Sequence, residues 1–181
     1  MLEEVELIFH KTKIPGVLEI EIEPKSDERG FFARTWCRTE FESQGLTASL
    51  AQCSVSFNHR KGTLRGMHFQ TAPYSEAKLI RCTRGSIYDV ALDLRSDSPT
   101  FKEWESRILS GENHRMLYVP EGCAHGFLTL EDYSEVFYQI SGFYAAEASC
   151  GVRWNDSAFG IKWPGEVKII SSRDAAYSDF A

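Results

Sequence analysis

The sequence predicts an all-β fold, a double-sheet jelly roll, organised as a single domain over residues 1–181. Three observations lead there. Between residues 50 and 140 the chain offers a series of short strand-like runs separated by polar or glycine-bearing turns, the spacing of sandwiches and barrels. The interleaved helices that a doubly wound parallel sheet needs are missing from that region. Finally, 181 residues with 43% hydrophobic and 25% charged content suit a globular chain able to bury a core, and no repeat, linker or low-complexity segment divides it.

Taken in order, residues 17–22, V-L-E-I-E-I, nearly alternate apolar and acidic side chains as a half-buried strand does, after a Pro15-Gly16 start. Asp27 to Gly30 supply a polar turn, and residues 31–37 read as an aromatic-rich strand. Residues 38–44 form the one short helix, with Thr39 as N-cap and Gly45 as its stop. The strand series then runs 53–57, 63–69, 77–82, 86–94, 104–109, 115–119, 126–130 and 134–140. From residue 141 an irregular C-terminal segment follows, broken by Gly142, Gly151, Gly160, Pro164 and Gly165, with Trp154 and Trp163 expected to anchor it by burying their rings.

A net charge of −6 argues against nucleic acid as a partner, because phosphate backbones call for a basic face; a small anion held by local cations is still compatible. Five cysteines, Cys37, Cys53, Cys82, Cys123 and Cys150, are odd in number and form no C-x-x-C pair. They read as free thiols of a reducing compartment. The start, M-L-E-E-V-E-L-I-F-H-K, is acidic and never reaches a sustained apolar run, so neither a signal peptide nor a membrane span is read and a cytoplasmic protein is expected.

Several polar residues do not fit a plain core. Residues 63–70, T-L-R-G-M-H-F-Q, put Arg65, Gly66 and His68 inside a strand. Strict alternation sends Arg65 and His68 to opposite faces, so a shared pocket requires a bulge or sharp twist at Gly66; otherwise Arg65 serves another surface. In residues 86–94, Tyr88, Val90, Leu92 and Leu94 form an apolar face that should meet the core. Ile87, Asp89, Ala91 and Asp93 then face solvent or a cavity, which makes Asp89 a candidate pocket residue. Lys78 opens a strand, His125 sits in a loop leading into one, and Tyr138 shares a face with Val136 and Ile140. Metal-binding jelly rolls of the cupin type generally carry an H-x-H pair, whereas Met67 and Phe69 here flank a single histidine. No metal is expected, and His68 points to proton transfer.

With those residues assembled, the chain resembles the dTDP-4-dehydrorhamnose 3,5-epimerase family, which acts on nucleotide-linked 4-keto-6-deoxy sugars. The landmarks are D-E-R-G-F-F (27–32), G-T-L-R-G-M-H-F-Q (62–70), A-K (77–78), G-S-I-Y-D-V (85–90), D-S-P-T-F (97–101), V-P-E-G-C-A-H-G-F (119–127), G-V-R-W-N-D (151–156) and S-R-D (172–174). The resemblance implies a cupin-like barrel, a homodimer, and activity without metal or organic cofactor. It implies that His68 is the general base, Asp174 its carboxylate partner, Tyr138 the acid on the opposite face of the sugar, and Lys78 the cation beside the C4 oxygen. Arg65 and His125 match contacts to sugar and diphosphate, Arg29 and Gln52 nucleotide-binding positions, Tyr144 a stacking ring, and Arg173 a position held by lysine or arginine. Arg34, Ser54 and Ser149 stand where members often have glutamate, asparagine and glutamate, all at ligand-contact positions.

The chemistry explains the residue types. A carbonyl at C4 acidifies the C–H bonds at C3 and C5, so inversion needs a base near neutral pKa, a stabiliser for the C4 oxyanion and an acid on the other face. The expected substrate is a nucleotide-diphosphate sugar, dTDP-linked, inverted at C3, C5 or both. Two alternatives use the same scaffold: a 3,4-ketoisomerase, or a catalytically silent sugar-nucleotide-binding cupin.

Overall fold

The computed structural model describes residues 6–180, so the acidic start read at residues 1–5 lies outside it. In chain order the elements are β1 (Leu7–Lys11), β2 (Leu18–Ile22), β3 (Lys25–Asp27), β4 (Gly30–Phe32), α1 (Arg38–Ser43), β5 (Gln52–Asn58), β6 (Thr63–Gln70), β7 (Lys78–Arg84) and β8 (Ser86–Asp93). There follow β9 (Trp104–Ser110), β10 (Met116–Val119), β11 (Cys123–Thr129), β12 (Ser134–Ile140), β13 (Ser149–Gly151), β14 (Ile169–Ile170) and α2 (Ser172–Ala175).

Two six-stranded sheets carry the fold. One has the order β1-β2-β10-β7-β12-β5; the other runs β13-β6-β11-β8-β9, with β14 added in parallel to β6. Among the described residues, the β3-β4 hairpin pairs only with itself. Ile80, Leu117 and Val136 of the first sheet meet Ile87, Ala91, Leu109 and Phe127 of the second in the interior, as facing sheets of a jelly roll do. The other side of the first sheet, through Leu18, Ile20, Leu79 and Met116, is covered by Phe41 of α1. The other side of the second is covered by the C-terminal segment, whose Val152, Phe159 and Ile161 pack on Met67, Val90 and Leu92.

That layering corrects the expectation for β8. Neither of its faces meets solvent: the face of Ile87, Asp89, Ala91 and Asp93 is buried against the first sheet, and the C-terminal segment covers the other. Trp163 takes its expected anchoring place, edge-on to Tyr88 and donating its indole N–H to the Trp154 carbonyl at 2.9 Å. The strand expected over residues 31–37 stops at Phe32, since the hairpin has no sheet to join, and Trp36 packs instead on Phe41. Thr39 is not the cap of α1; Cys37 holds that position without a side-chain cap bond, while Gly45 does end the helix at a φ of +70°. His125 lies inside β11, which starts at Cys123, and not in a preceding loop. All five cysteines are free, and burial pushes the Cys82 thiol up to about 11.

Candidate active site

The irregularity required at Gly66 is present. His125 pairs with His68 and Phe127 with Arg65, so two residues of β6, Gly66 and Met67, oppose the single Gly126 of β11. Glycine is obligatory on both sides: a Cβ on Gly66 would lie 2.5 Å from the Gly126 Cα, and one on Gly126 would lie 2.9 Å from the Gly66 Cα. Gly66 also has a φ of +143°. The bulge rotates the strand so that Arg65 and His68 line one cavity, of about 360 Å³, while Met67 goes to the opposite layer.

This cavity opens at one end of the barrel interior, beyond the apolar core, and both sheets contribute to it. The first sheet supplies Ser54 and Ser56 from β5, Lys78 from β7 and Tyr138 from β12. The second supplies Arg65, His68 and Gln70 from β6, His125 from β11 and Ser149 from β13. Tyr144 and Arg173 complete the wall.

His68 is held from behind. Its Nε2–H donates to Asp174 Oδ1 at 2.8 Å, and the Gly66 N–H donates to Oδ2 at 3.3 Å. Asp174 reaches that place because β14 docks alongside β6 and leads into α2, whose first turn is capped by the Ser171 hydroxyl accepting from the Asp174 N–H at 3.0 Å. Nδ1 is thereby the ring nitrogen available to a ligand. Burial lowers the His68 pKa, with Lys78 and His125 adding to the effect and Asp174 opposing it, so the ring is neutral at pH 7.

His125 forms a second such pair, through Nε2 and Asp89 Oδ1 at 2.7 Å. Asp89 therefore does not reach the cavity wall as expected: it is wholly buried and diagonal to His125 on the neighbouring strand, and the imidazole lies between it and the ligand space. Tyr138 stands edge-on to His125, ring centres 6.0 Å apart. Burial first, then the Asp89 charge, push its pKa far above the usual tyrosine value, so it is a neutral phenol able to donate its proton.

Lys78 is nearly buried and pairs with Glu76 at 3.0 Å, and the other Glu76 oxygen accepts from Gln70 Nε2 at 2.8 Å. Arg65 crosses between the sheets and donates from Nε to Asn58 Oδ1 at 2.7 Å. Arg173 donates to the Ser149 hydroxyl at 2.9 Å. Glu76, Gln70 and Asn58 were not singled out in the sequence. Their signal was polar residues at inward-facing strand positions or beside them, which alternation alone marks only weakly.

Gln52 and Arg29 are placed differently from the rest. Gln52 does not line the cavity; its Oε1 accepts the backbone N–H of Tyr144 at 2.7 Å and so orients that residue. Arg29 sits on the exposed β3-β4 turn, its side chain 85% accessible and paired with Asp27. Arg34 pairs with Glu40 beside α1, away from the cavity that Ser54 and Ser149 line. Among the described residues, no three His, Cys, Asp or Glu side chains group as a metal site would, and no helix is long and apolar enough to cross a membrane.

Known proteins resemble this chain over nearly its whole length. The family model described as dTDP-4-dehydrorhamnose 3,5-epimerase matches residues 11–181. A dTDP-4-dehydrorhamnose 3,5-epimerase of Salmonella typhimurium is 42% identical over 172 residues, 94% of this chain and 93% of the relative. The crystal structure of the enzyme of that name from Bacillus anthracis, with TDP and PPi bound, superposes with a TM-score of 0.93 at 40% identity, covering 97% of this chain and 100% of the other. A 3'-monoepimerase from Streptomyces bikiniensis, solved in complex with dTDP-quinovose, gives a TM-score of 0.86 at 32% identity, covering 94% and 86%.

Proposed function

The chain belongs to the dTDP-4-dehydrorhamnose 3,5-epimerase family, and from that premise we propose that it inverts a dTDP-linked 4-keto-6-deoxy hexose through His68 and Tyr138. The observation that carries this is the placement of the two groups on opposite sheets of one cavity, so that a sugar ring between them meets a base on one face and an acid on the other.

His68 Nδ1 takes the proton from C3 or C5, the C–H electron pair passes into the ring as an enolate, and the negative charge collects on the C4 oxygen. Asp174 stabilises the imidazolium as it forms, at 2.8 Å from Nε2. Lys78 serves the oxyanion as a point charge, held in place by Glu76. Tyr138 returns a proton to the carbon from the other side, and the phenolate recovers one from water. The His68 imidazolium gives its proton to water, which balances the one the phenolate takes, and the reaction neither oxidises nor reduces the sugar.

Arg65, His125 and Arg173 bind the sugar and diphosphate, and Tyr144 stacks on the nucleotide end, with Gln52 setting its backbone. Ser54 contacts the ligand from the same wall. The protein acts as a homodimer in the cytoplasm. Exposed Phe31 and Phe32 beside Arg29 support a second copy as the surface that this hairpin meets, since Arg29 does not line the cavity of its own chain.

The test is incubation with dTDP-4-keto-6-deoxyglucose in D₂O with NMR of the product. Deuterium at C3 and C5 with inversion at both supports double epimerisation, and exchange at C3 alone supports a monoepimerase. A carbonyl moved to C3 would identify a ketoisomerase, and binding without exchange would leave only a sugar-nucleotide binder.

A further inference from the structure

Gly151 of β13 is the residue paired directly across from His68 on β6. At such a position a side chain normally packs against its partner, with Cβ atoms about 4.5–5.5 Å apart. Gly151 has no side chain, and the space is taken by another residue: a Cβ built there would lie 2.3 Å from Tyr177 Cζ and 2.6 Å from its hydroxyl oxygen. The Tyr177 ring comes from just beyond α2, fills this notch and stands edge-on to His68, ring centres 6.3 Å apart at 68°. Its hydroxyl interacts with the Arg173 guanidinium, while the ring is what meets His68. Asp174, the partner of His68 Nε2, lies three residues earlier on the same segment.

We propose that Tyr177 is a positioning residue for the base: seated over Gly151, it clamps the His68 imidazole in place beside Asp174 and covers one edge of the ring from water. The C-terminal hook of residues 171–177 thus delivers both supports of His68. This inference rests on the reading of His68 as the base.

The clamp has a consequence separable from fold stability. The groups that face His68 are Asp174 from α2, Lys78 from β7 and His125 from β11, with Arg173 next to Tyr177; burial, with Lys78 and His125 adding to it, outweighs Asp174 and lowers the His68 pKa. Removing the ring lets water in and raises the His68 midpoint toward the ordinary histidine value of about 6.5. A larger residue at 151 should do the same by displacing Tyr177. Gly151 does not occupy the left-handed region, so Gly151→Ala probes space alone.

The experiment takes the full chain with Tyr177→Phe, Tyr177→Ala, Gly151→Ala and the double Gly151→Ala/Tyr177→Ala. The His68 imidazole is titrated by NMR, and turnover of dTDP-4-keto-6-deoxyglucose is measured alongside. Tyr177→Phe keeps the ring and is expected to leave the His68 midpoint unmoved, its effect on turnover confined to KM through Arg173. Tyr177→Ala and Gly151→Ala should each raise the midpoint and lower kcat roughly 10- to 100-fold, the scale of a small misplacement of a reacting group, with KM little changed. The double variant should fall no further than either single, because both remove one contact. An unmoved midpoint and kcat in Tyr177→Ala, or single losses that multiply in the double, would overturn the clamp. If Tyr177→Ala does not fold, Gly151→Ala against Tyr177→Phe decides by the same criteria. If the wild type itself turns over no substrate, the epimerase reading fails, and the His68 titration still decides the clamp.

Discussion

Replacing Asp174 with asparagine tests how the base is made. The carboxylate lies 2.8 Å from His68 Nε2, and its second oxygen accepts the Gly66 N–H at 3.3 Å. Two unit charges about 4 Å apart at an effective dielectric of about 20 attract by about 4 kcal/mol. With the proton about half transferred, about 2 kcal/mol of that acts in the transition state, and solvent at the partly open His68 screens it toward about 1 kcal/mol. Loss of charge alone therefore costs roughly 5- to 30-fold in kcat. Geometry adds to this. The Gly66 N–H selects the amide oxygen of asparagine, which turns the amide NH₂ toward Nε2 and moves the imidazole proton to Nδ1, the nitrogen needed as base. The combined loss should approach about 10² to 10⁴-fold, the range for removing a general base. Because burial lowers the His68 pKa and Asp174 opposes it, the variant should also shift the acid limb of the kcat/KM profile to lower pH. Steady-state kinetics across pH, with ¹⁵N NMR to read the tautomer, provides the assay. A kcat within about threefold of wild type, with the acid limb unmoved or raised, would refute the reasoning.

Other substitutions probe the remaining parts. Tyr138→Phe should keep deuterium exchange at the abstracted position while losing inversion, and full inversion by NMR would remove Tyr138 from the acid role. Lys78→Gln keeps a donor for Glu76 but removes the charge, so kcat should fall about 10² to 10³-fold, as for loss of an oxyanion stabiliser; an effect confined to KM would contradict that. Asp93 is a structural counterpart. Burial disfavours its ionised form, but hydrogen bonds from Arg95, Ser98 and Thr100 outweigh this and hold its pKa well below the usual carboxylate value. A depressed folded-state pKa contributes stability at neutral pH that is lost as pH falls below the unfolded value of about 3.9. Asp93→Asn should cost about 3–5 kcal/mol at pH 7 and flatten the acid dependence of thermal melts, whereas a melt unchanged at neutral and at acid pH would show the cluster to be dispensable.

Much of the barrel was readable because its strands are short, alternating and bounded by turn residues. The run at 134–140 matches β12 end to end. β1 lacks such bounds, and β13 and β14 are three and two residues long, held in place by β6 more than by their own pattern. The aromatic run at 31–37 was misleading for a related reason: β-propensity needs a neighbouring sheet, and the hairpin has none. At the site, the conflict between Arg65 and His68 on one strand was itself informative, because a shared pocket required a bulge or sharp twist at Gly66, and the bulge is there. Asp174 and the identity of its partner were legible only by resemblance, since 106 residues separate it from His68 and no local pattern spans that distance. Asp89 was placed on the correct face of its strand but not at the correct depth, because periodicity gives direction and says nothing of a second side chain in front. Gly151 looked like a breaker in an irregular segment, and its use as a seat for Tyr177 depends on a contact between residues that no spacing rule links.

The central claim is that His68 removes the proton from carbon. The most direct measurement is deuterium wash-in at C3 and C5 of dTDP-4-keto-6-deoxyglucose, followed by NMR in D₂O for the wild type and for His68→Ala, with circular dichroism confirming that the variant is folded. The wild type should incorporate deuterium and the folded variant none above background; wash-in by His68→Ala at the wild-type rate would contradict the account.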